Sequence, residues 1–196
     1  MIYLLDSHLS KTSHSQYIID IIKEHTDTSI ELITISNNIT YGEIANIVIS
    51  LFEKVIPNDI VLCPWAVPAN KSLDELFTEL STLCYVVAAA GNFKKPVEDY
   101  TPAGSDGVIT VGTLNKSGLI AALSNYSNNK EIIWLPGTNY TVGWKNSSGT
   151  SVSAALYAAF LAEGIKHKDM TLVEKMIEEQ KTKVFNELNG LPNLLS

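Results

Sequence analysis

Six short runs of apolar residues, rich in isoleucine and valine, are the feature of this sequence that most restricts its fold. Most of them are continuous rather than alternating, which is typical of strands in a sheet that is covered on both faces. The charged fraction of 18% is below the roughly 25% of an average globular protein, in agreement with elements buried all round. The predicted strands are Ile2–Leu5, Ile30–Ile35, Ile60–Cys63, Tyr85–Ala90, Val108–Leu114 and Ile132–Leu135.

Helices with recognisable start signals lie between these strands. Segments 40–43 and 72–75 have the sequences Thr-Tyr-Gly-Glu and Ser-Leu-Asp-Glu, which are typical capping boxes. Ser13 or Thr12 can cap an earlier helix that runs through His25. Strands that alternate with helices predict a doubly wound α/β fold, with a mainly parallel sheet flanked by helices.

The length of 196 residues fits one domain with a sizeable core. We therefore expect a single domain over residues 1–196, in which residues 166–196 form a C-terminal helix and a terminal strap. The helix is predicted over Thr171–Phe185 as a solvated packing helix, and the strap over Leu188–Leu195.

Composition excludes several classes of function. A net charge of −7 and a pI near 5.0 argue against binding to nucleic acids or to anionic membranes, since phosphate contacts need clustered Lys and Arg. We find no apolar run of the roughly 18–20 residues that a membrane span needs, and no signal peptide pattern at Met1–Asp6. A cytoplasmic location is therefore expected.

The two cysteines are too few for a disulfide scaffold and lack metal-ligand spacing, so no metal site is predicted. Cys63 ends one predicted strand, whereas Cys84 precedes the start of the next. About five residues of offset at ~3.3 Å each separate them by roughly 15 Å, too far for a disulfide. We predict two free thiols.

Four residues with useful chemistry come from separate segments that share the carboxyl edge of the sheet, where ligands gather in such folds. They are Asp6, His14, Asn92 and Ser151. Each also has a structural explanation when taken alone. Ser151 can be a helix cap, Asp6 a strand-end cap and His14 a polar residue at a helix start, while Asn92 can supply a positive φ after glycine.

Together, these residues match the needs of nucleophilic catalysis. A serine hydroxyl becomes a good nucleophile when a histidine accepts its proton and a carboxylate orients that histidine. An amide such as Asn92 and the Ser151 N–H could then stabilise an oxyanion. A serine at a helix N-terminus suits this role because the helix dipole favours negative charge there.

The surrounding motifs resemble those of subtilisin-like serine proteases, the subtilases. Segment 149–155, Gly-Thr-Ser-Val-Ser-Ala-Ala, is similar to the segment around the subtilase nucleophile, and 88–92, Ala-Ala-Ala-Gly-Asn, matches the oxyanion segment. Segments 4–7 and 13–20 resemble the aspartate and histidine motifs. Further similarity at 100–103, 107–112, 123–127 and 135–137 extends the resemblance from about residue 2 to about 165.

The resemblance implies a serine endopeptidase in which Ser151 is the nucleophile, His14 the base, Asp6 its orienting acid and Asn92 the oxyanion donor. It implies no cofactor, and peptides or proteins as substrates. The segment 63–67 corresponds to the edge that binds extended peptides, so Pro64, Trp65 and Ala66 are predicted to contact substrate, with Trp65 as a pocket wall.

The sequence also departs from the family pattern. Only a short loop joins Asp6 to His14, neither residue is followed by glycine, and Ala155 replaces a proline. These departures favour an alternative, a non-catalytic subtilase-fold module that binds peptides or serves as a structural part of a larger assembly. A cytosolic protease also needs control, which predicts a regulatory or assembly partner. His8, His25 and His167 are interpreted as surface residues.

Overall fold

The computed structural model describes residues 1–7, 10, 13–36 and 38–189 of the chain. The α-helices are α1 (His14–Lys23), α2 (Tyr41–Phe52), α3 (Lys71–Leu80), α4 (Thr150–His167) and α5 (Thr171–Asn189). The strands, in chain order, are β1 (Ile2–Asp6), β2 (Ile30–Thr34), β3 (Ile60–Cys63), β4 (Val67–Pro68), β5 (Tyr85–Ala89), β6 (Tyr100–Thr101), β7 (Ile109–Leu114), β8 (Ile133–Pro136), β9 (Tyr140–Val142) and β10 (Lys145–Ser147).

The central sheet has six parallel strands in the order β2-β1-β3-β5-β7-β8. These are the six apolar runs, with ends that differ from the predicted ones by at most one residue, so the predicted doubly wound α/β fold is confirmed. The chain begins inside the sheet and builds outward in both directions from β1. This strand order puts the carboxyl end of β1, with Asp6, at a topological switch point, where α/β folds bind ligands.

Helices cover both faces of the sheet. Alternate side chains of β1 show the division, since Leu4 belongs to the core beneath α1 and α4, and Leu5 to the core beneath α2 and α3. Helix α4 has little amphipathic character and is buried along most of its length, with α1 and α5 packed beside it. The nucleophile candidate at its start is therefore carried by the most enclosed helix of the fold.

Side-chain caps fix where the helices begin. Thr40 forms the predicted capping box at α2, and the Ser13 side chain accepts a hydrogen bond from the Gln16 N–H at the start of α1. The predicted cap at Ser72 is wrong. Asn70 caps α3 instead, and its side chain accepts from the Leu73 N–H at 3.1 Å.

The C-terminal helix is longer than predicted, because α5 continues to Asn189. Leu188 thus belongs to the helix rather than to the predicted strap, and residues 190–195 of that strap lie outside the described residues.

Two short antiparallel pairs, β4 with β6 and β9 with β10, lie apart from the central sheet. None of the helices in the described ranges is long and apolar enough to cross a lipid bilayer.

Candidate active site

Asp6 and His14 meet at the carboxyl end of β1. The Asp6 side chain is buried, and its Oδ1 accepts a hydrogen bond from the Ser7 N–H at 2.7 Å. Its Oδ2 lies 2.7 Å from His14 Nδ1. Because a carboxylate can only accept, Nδ1 carries the proton in this contact. The short loop between β1 and α1 thus suffices to bring the two side chains together.

The other nitrogen of the His14 ring contacts Ser151. Nε2 lies 3.0 Å from Ser151 Oγ, and with Nδ1 protonated it is the acceptor of the serine proton. The His14 side chain is 41% exposed, so this contact is open to solvent and to a substrate. Helix α4 begins at Thr150 after the N-cap residue Gly149, which puts the Ser151 N–H in the first turn.

The loop after β5 lies against the start of α4. The Gly91 N–H donates to Thr150 Oγ1 at 3.1 Å, and the Thr150 N–H donates to Asn92 Oδ1 at 3.0 Å. With Oδ1 used in this way, the Asn92 amide presents Nδ2 as its donor beside Gly149. Gly91 has the positive φ of +101°, and Asn92 does not, so the backbone explanation for the asparagine is wrong.

Asn125 is a residue of this site that sequence reasoning missed. Its side chain is fully buried, and its Oδ1 accepts from the Phe93 and Lys95 N–H groups at 2.9 and 3.1 Å. Its Nδ2 donates to the Ala90 carbonyl at 2.9 Å. One amide therefore holds both ends of the loop that carries Asn92. The signal was the Ser-Asn-Tyr motif at 124–126, which the resemblance included without a role.

The predicted substrate edge lies between β3 and β4. The Trp65 Nε1–H donates to the Leu5 carbonyl at 2.7 Å, so this side chain is tied to β1 next to Asp6. A Cβ built on Gly91 would approach the Ala66 Cβ to 3.3 Å, which puts Ala66 beside the loop that carries Asn92. Pro64, which precedes Trp65 in the chain, is buried. The role of these residues in binding substrate remains a prediction.

The predictions for the cysteines and the other histidines are confirmed only in part. Cys63 and Cys84 are free and buried, as predicted, and burial raises the pKa of Cys84 to about 12. His167 is exposed, but His25 packs edge-on against Phe160 and its Nε2 contacts the Tyr140 hydroxyl at 3.1 Å. His25 is therefore half-buried rather than fully solvent-facing as predicted, and burial lowers the pKa of its imidazole. His8 lies outside the described residues.

Comparison with protein families identifies the group to which the chain is related. The sequence profile of the subtilase family, peptidase S8, matches residues 57–183, a segment that contains both Asn92 and Ser151. The chain belongs to the subtilase family. The matched segment of this subtilase begins after Asp6 and His14, so the assignment of those two residues depends on their motifs and on their contacts with each other and with Ser151.

Two fungal proteases are among the relatives of this subtilase. It is 26% identical over 140 residues to a cuticle-degrading serine protease of Arthrobotrys oligospora, covering 65% of this chain and 33% of that protein. It is 30% identical over 123 residues to alkaline protease 1 of Aspergillus clavatus, covering 56% of this chain and 30% of that protein. The chain spans about a third of the length of these curated relatives.

Solved structures show the same fold. A cold-adapted subtilisin-like serine proteinase superposes with a TM-score of 0.72 at 14% identity, covering 92% of this chain and 80% of that one. A lanthipeptide protease gives a TM-score of 0.68, also at 14% identity, covering 91% and 78%. The subtilisin-like arrangement of sheet and helices is thus retained.

Proposed function

We propose that this subtilase is a serine endopeptidase that hydrolyses peptide bonds through Ser151, His14, Asp6 and Asn92. The observation that supports it most strongly is the position of the His14 ring, 2.7 Å from Asp6 Oδ2 and 3.0 Å from Ser151 Oγ. Both distances are within hydrogen-bond reach, which is the geometric requirement for a general base. The relative named as a cuticle-degrading serine protease supports the same reaction class.

The first half of the reaction acylates the serine. Asp6 holds Nδ1–H of the His14 ring, so Nε2 removes the Ser151 proton as Oγ attacks the substrate carbonyl carbon. The carbonyl π electrons move to oxygen, and the resulting oxyanion accepts hydrogen bonds from the Asn92 Nδ2–H and the Ser151 N–H. When this intermediate collapses, the carbon–nitrogen bond breaks and His14 gives its proton to the leaving amine.

The second half releases the acyl group by the same steps with water as the nucleophile. His14 takes a proton from water, the hydroxide attacks the ester carbonyl, and Ser151 leaves with the proton that His14 returns. Asp6 stabilises the imidazolium that forms twice in each cycle. The reaction needs no cofactor, because every proton and electron pair comes from substrate, water or these side chains.

Peptide substrates would lie along the 64–66 segment in an extended conformation. Pro64 has no N–H to donate, so backbone pairing with substrate would rely on its neighbours. Ala66 beside Gly91 narrows the space next to the oxyanion loop, which favours small or apolar residues before the scissile bond. A cytoplasmic location and control by a partner belong to the same proposal, and cell fractionation with affinity capture tests both.

A fluorophosphonate probe tests the proposal directly, since it reacts with an activated serine and needs no knowledge of the substrate. We expect the wild type to be labelled, and Ser151→Ala and His14→Ala to remain unlabelled. Ser148→Ala is the matched control, because this exposed serine lies three residues away outside the proposed triad and should leave labelling intact. Absence of labelling in folded wild type would instead favour the alternative, a peptide-binding or structural module.

A further inference from the structure

A cavity of about 500 Å³ lies beside His14, between the start of α1 and the β9–β10 hairpin. His14, Tyr17, Trp144 and Lys145 are among the side chains that line it. The loop that carries Asn92 and the 64–66 segment do not contribute to this lining. The cavity is therefore on the His14 side of the cleft and away from the proposed binding edge for the acyl part of a substrate.

The chemistry assigns this side of the cleft to the leaving fragment. His14 gives its proton to the amine that departs, so the new amino terminus of that fragment must lie against the His14 ring. The first residues after the scissile bond continue from there over the neighbouring surface, with a rise of about 3.3 Å per residue. The cavity borders His14 and offers space for their side chains.

The walls of the cavity are tied to one another. The Tyr17 hydroxyl of α1 donates to the Tyr140 carbonyl of the hairpin at 2.6 Å, and the Lys145 ammonium lies 3.8 Å from Asp20 on α1. Strand β10 pairs with β9 through Lys145 and Val142. The hairpin is thus fixed against the helix that carries His14, which makes the cavity a preformed site rather than a gap between mobile loops.

The Lys145 side chain makes this cavity chemically specific. Only 14% of it is exposed, and its Nζ has no hydrogen-bond acceptor in the described part of the chain. Asp20 is too distant for a hydrogen bond, and its Oδ1 already accepts from Gln16 at 2.7 Å. Nζ itself is closed to solvent, and a buried ammonium without an acceptor is unfavourable. A rotation of the flexible lysine side chain would bring Nζ to the cavity surface, where an anionic group would accept from it.

Trp144 at the turn of the hairpin completes the wall. Its side chain is unusually open for a tryptophan, with 79% exposed, and its ring centroid lies 5.6 Å from Lys145 Nζ. An exposed indole offers an apolar face to the stem of a bound side chain, whereas the ammonium offers donors to its end. This pairing suits an acidic group on a short aliphatic stem.

We propose that Lys145 makes this protein select substrates with a carboxylate in the first residues after the scissile bond. The carboxylate is either an Asp or Glu side chain or the free α-carboxylate of a short leaving fragment, and both would accept hydrogen bonds from the Lys145 ammonium. The inference rests on the proposed function, since it concerns the substrate of the same serine.

Matched pairs of internally quenched peptides test this selection. One pair differs by Glu or Gln at the first or second position after the cleaved bond, which is located by mass spectrometry. Another pair, with a short leaving fragment, differs by a C-terminal acid or amide. We expect kcat/KM to be about tenfold higher for the acid in at least one pair, the usual scale of a charge-assisted hydrogen bond. The pair that discriminates identifies the source of the carboxylate.

Substitutions at Lys145 then assign the selection to this residue. Lys145→Gln should bring the acid-to-amide ratio close to one, Lys145→Arg should retain it, and Lys145→Glu should favour a Lys-containing peptide over the Glu peptide. Because each ratio is taken within one preparation, a loss of folded protein cancels. Lys166→Gln is the matched control, since it removes the same charge about 22 Å along α4 from Ser151 and should keep the ratio.

The outcomes separate this inference from the function on which it rests. Cleavage without discrimination between acid and amide, or discrimination that persists in Lys145→Gln, would overturn the role of Lys145 and leave the peptidase intact. Absence of both cleavage and fluorophosphonate labelling in folded wild type would overturn the peptidase itself, and the selection with it.

Discussion

Replacing Asn125 with alanine should disconnect the loop that carries Asn92 from its anchor. The Asn125 side chain is fully buried and makes three hydrogen bonds, to the Ala90 carbonyl and to the Phe93 and Lys95 N–H groups. At about 1 kcal/mol of net stabilisation each, their loss should lower the free energy of unfolding by about 3 kcal/mol. Urea unfolding followed by fluorescence measures this change.

The same substitution should also slow catalysis, because the loop sets the position of the Asn92 amide. Loss of an oxyanion donor lowers kcat by about 10²–10³, which is the ceiling for an effect that acts through Asn92. We expect Asn125→Ala to reduce kcat by a factor between ten and that ceiling. KM should change little, since Asn125 is buried and cannot touch the substrate.

A double-mutant cycle decides whether Asn125 acts through Asn92. If it does, Asn92→Ala combined with Asn125→Ala should be no slower per active site than Asn92→Ala alone, with active sites counted by fluorophosphonate labelling. The reasoning is refuted if the two reductions in kcat multiply. It is equally refuted if the Asn125→Ala protein is less stable in urea than wild type but keeps the full wild-type kcat.

Three further predictions concern parts of the molecule away from the proposed chemistry. Burial holds the pKa of His25 below its usual 6.5, so the unfolded chain binds an extra proton first as pH falls. The stability that neutral His25 contributes is thus complete above pH 6.5 and is lost as pH falls through the lowered pKa. Between pH 8 and pH 5, urea unfolding should therefore show a smaller decrease in the free energy of unfolding for His25→Gln than for wild type. Thr40→Ala removes the capping box of α2 and should lower the free energy of unfolding by about 1 kcal/mol, with Thr40→Ser retaining most of it in the same assay. Cys63 and Cys84 should resist Ellman's reagent at pH 8 in the native protein and react fully in urea, because burial raises both pKa values; rapid reaction of either thiol in the native state would contradict their buried placement.

The sheet was predictable from the sequence because its strands are buried on both faces. Ile60–Cys63 has four consecutive apolar residues, and a run of that kind has few other stable placements. The residues at the carboxyl edge could then be gathered by a topological rule without knowledge of any contact. Hence the sequence alone predicts that Asp6, His14, Asn92 and Ser151 share one edge of the sheet, whereas the distances between them require the structure.

Contacts between distant segments could not be predicted in the same way. His25 follows an amphipathic helix, where a surface position is the simplest interpretation, and packing against Tyr140 and Phe160 covers part of its side chain. The β9–β10 hairpin has three-residue strands of mixed polarity, too short for a periodicity to emerge. At α3, both Asn70 and Ser72 are good caps, and local sequence does not choose between them.

The contact between His14 and Ser151 joins residues 137 positions apart, and this separation has a consequence for biosynthesis. A ribosome delivers Asp6 and His14 early. It delivers α4 late, after all six strands of the central sheet have emerged. Until then the nascent chain has a base and no nucleophile to activate. Under the proposed mechanism, the nascent chain therefore cannot cleave its own earlier segments or other chains nearby until Ser151 has been synthesised and α4 has folded.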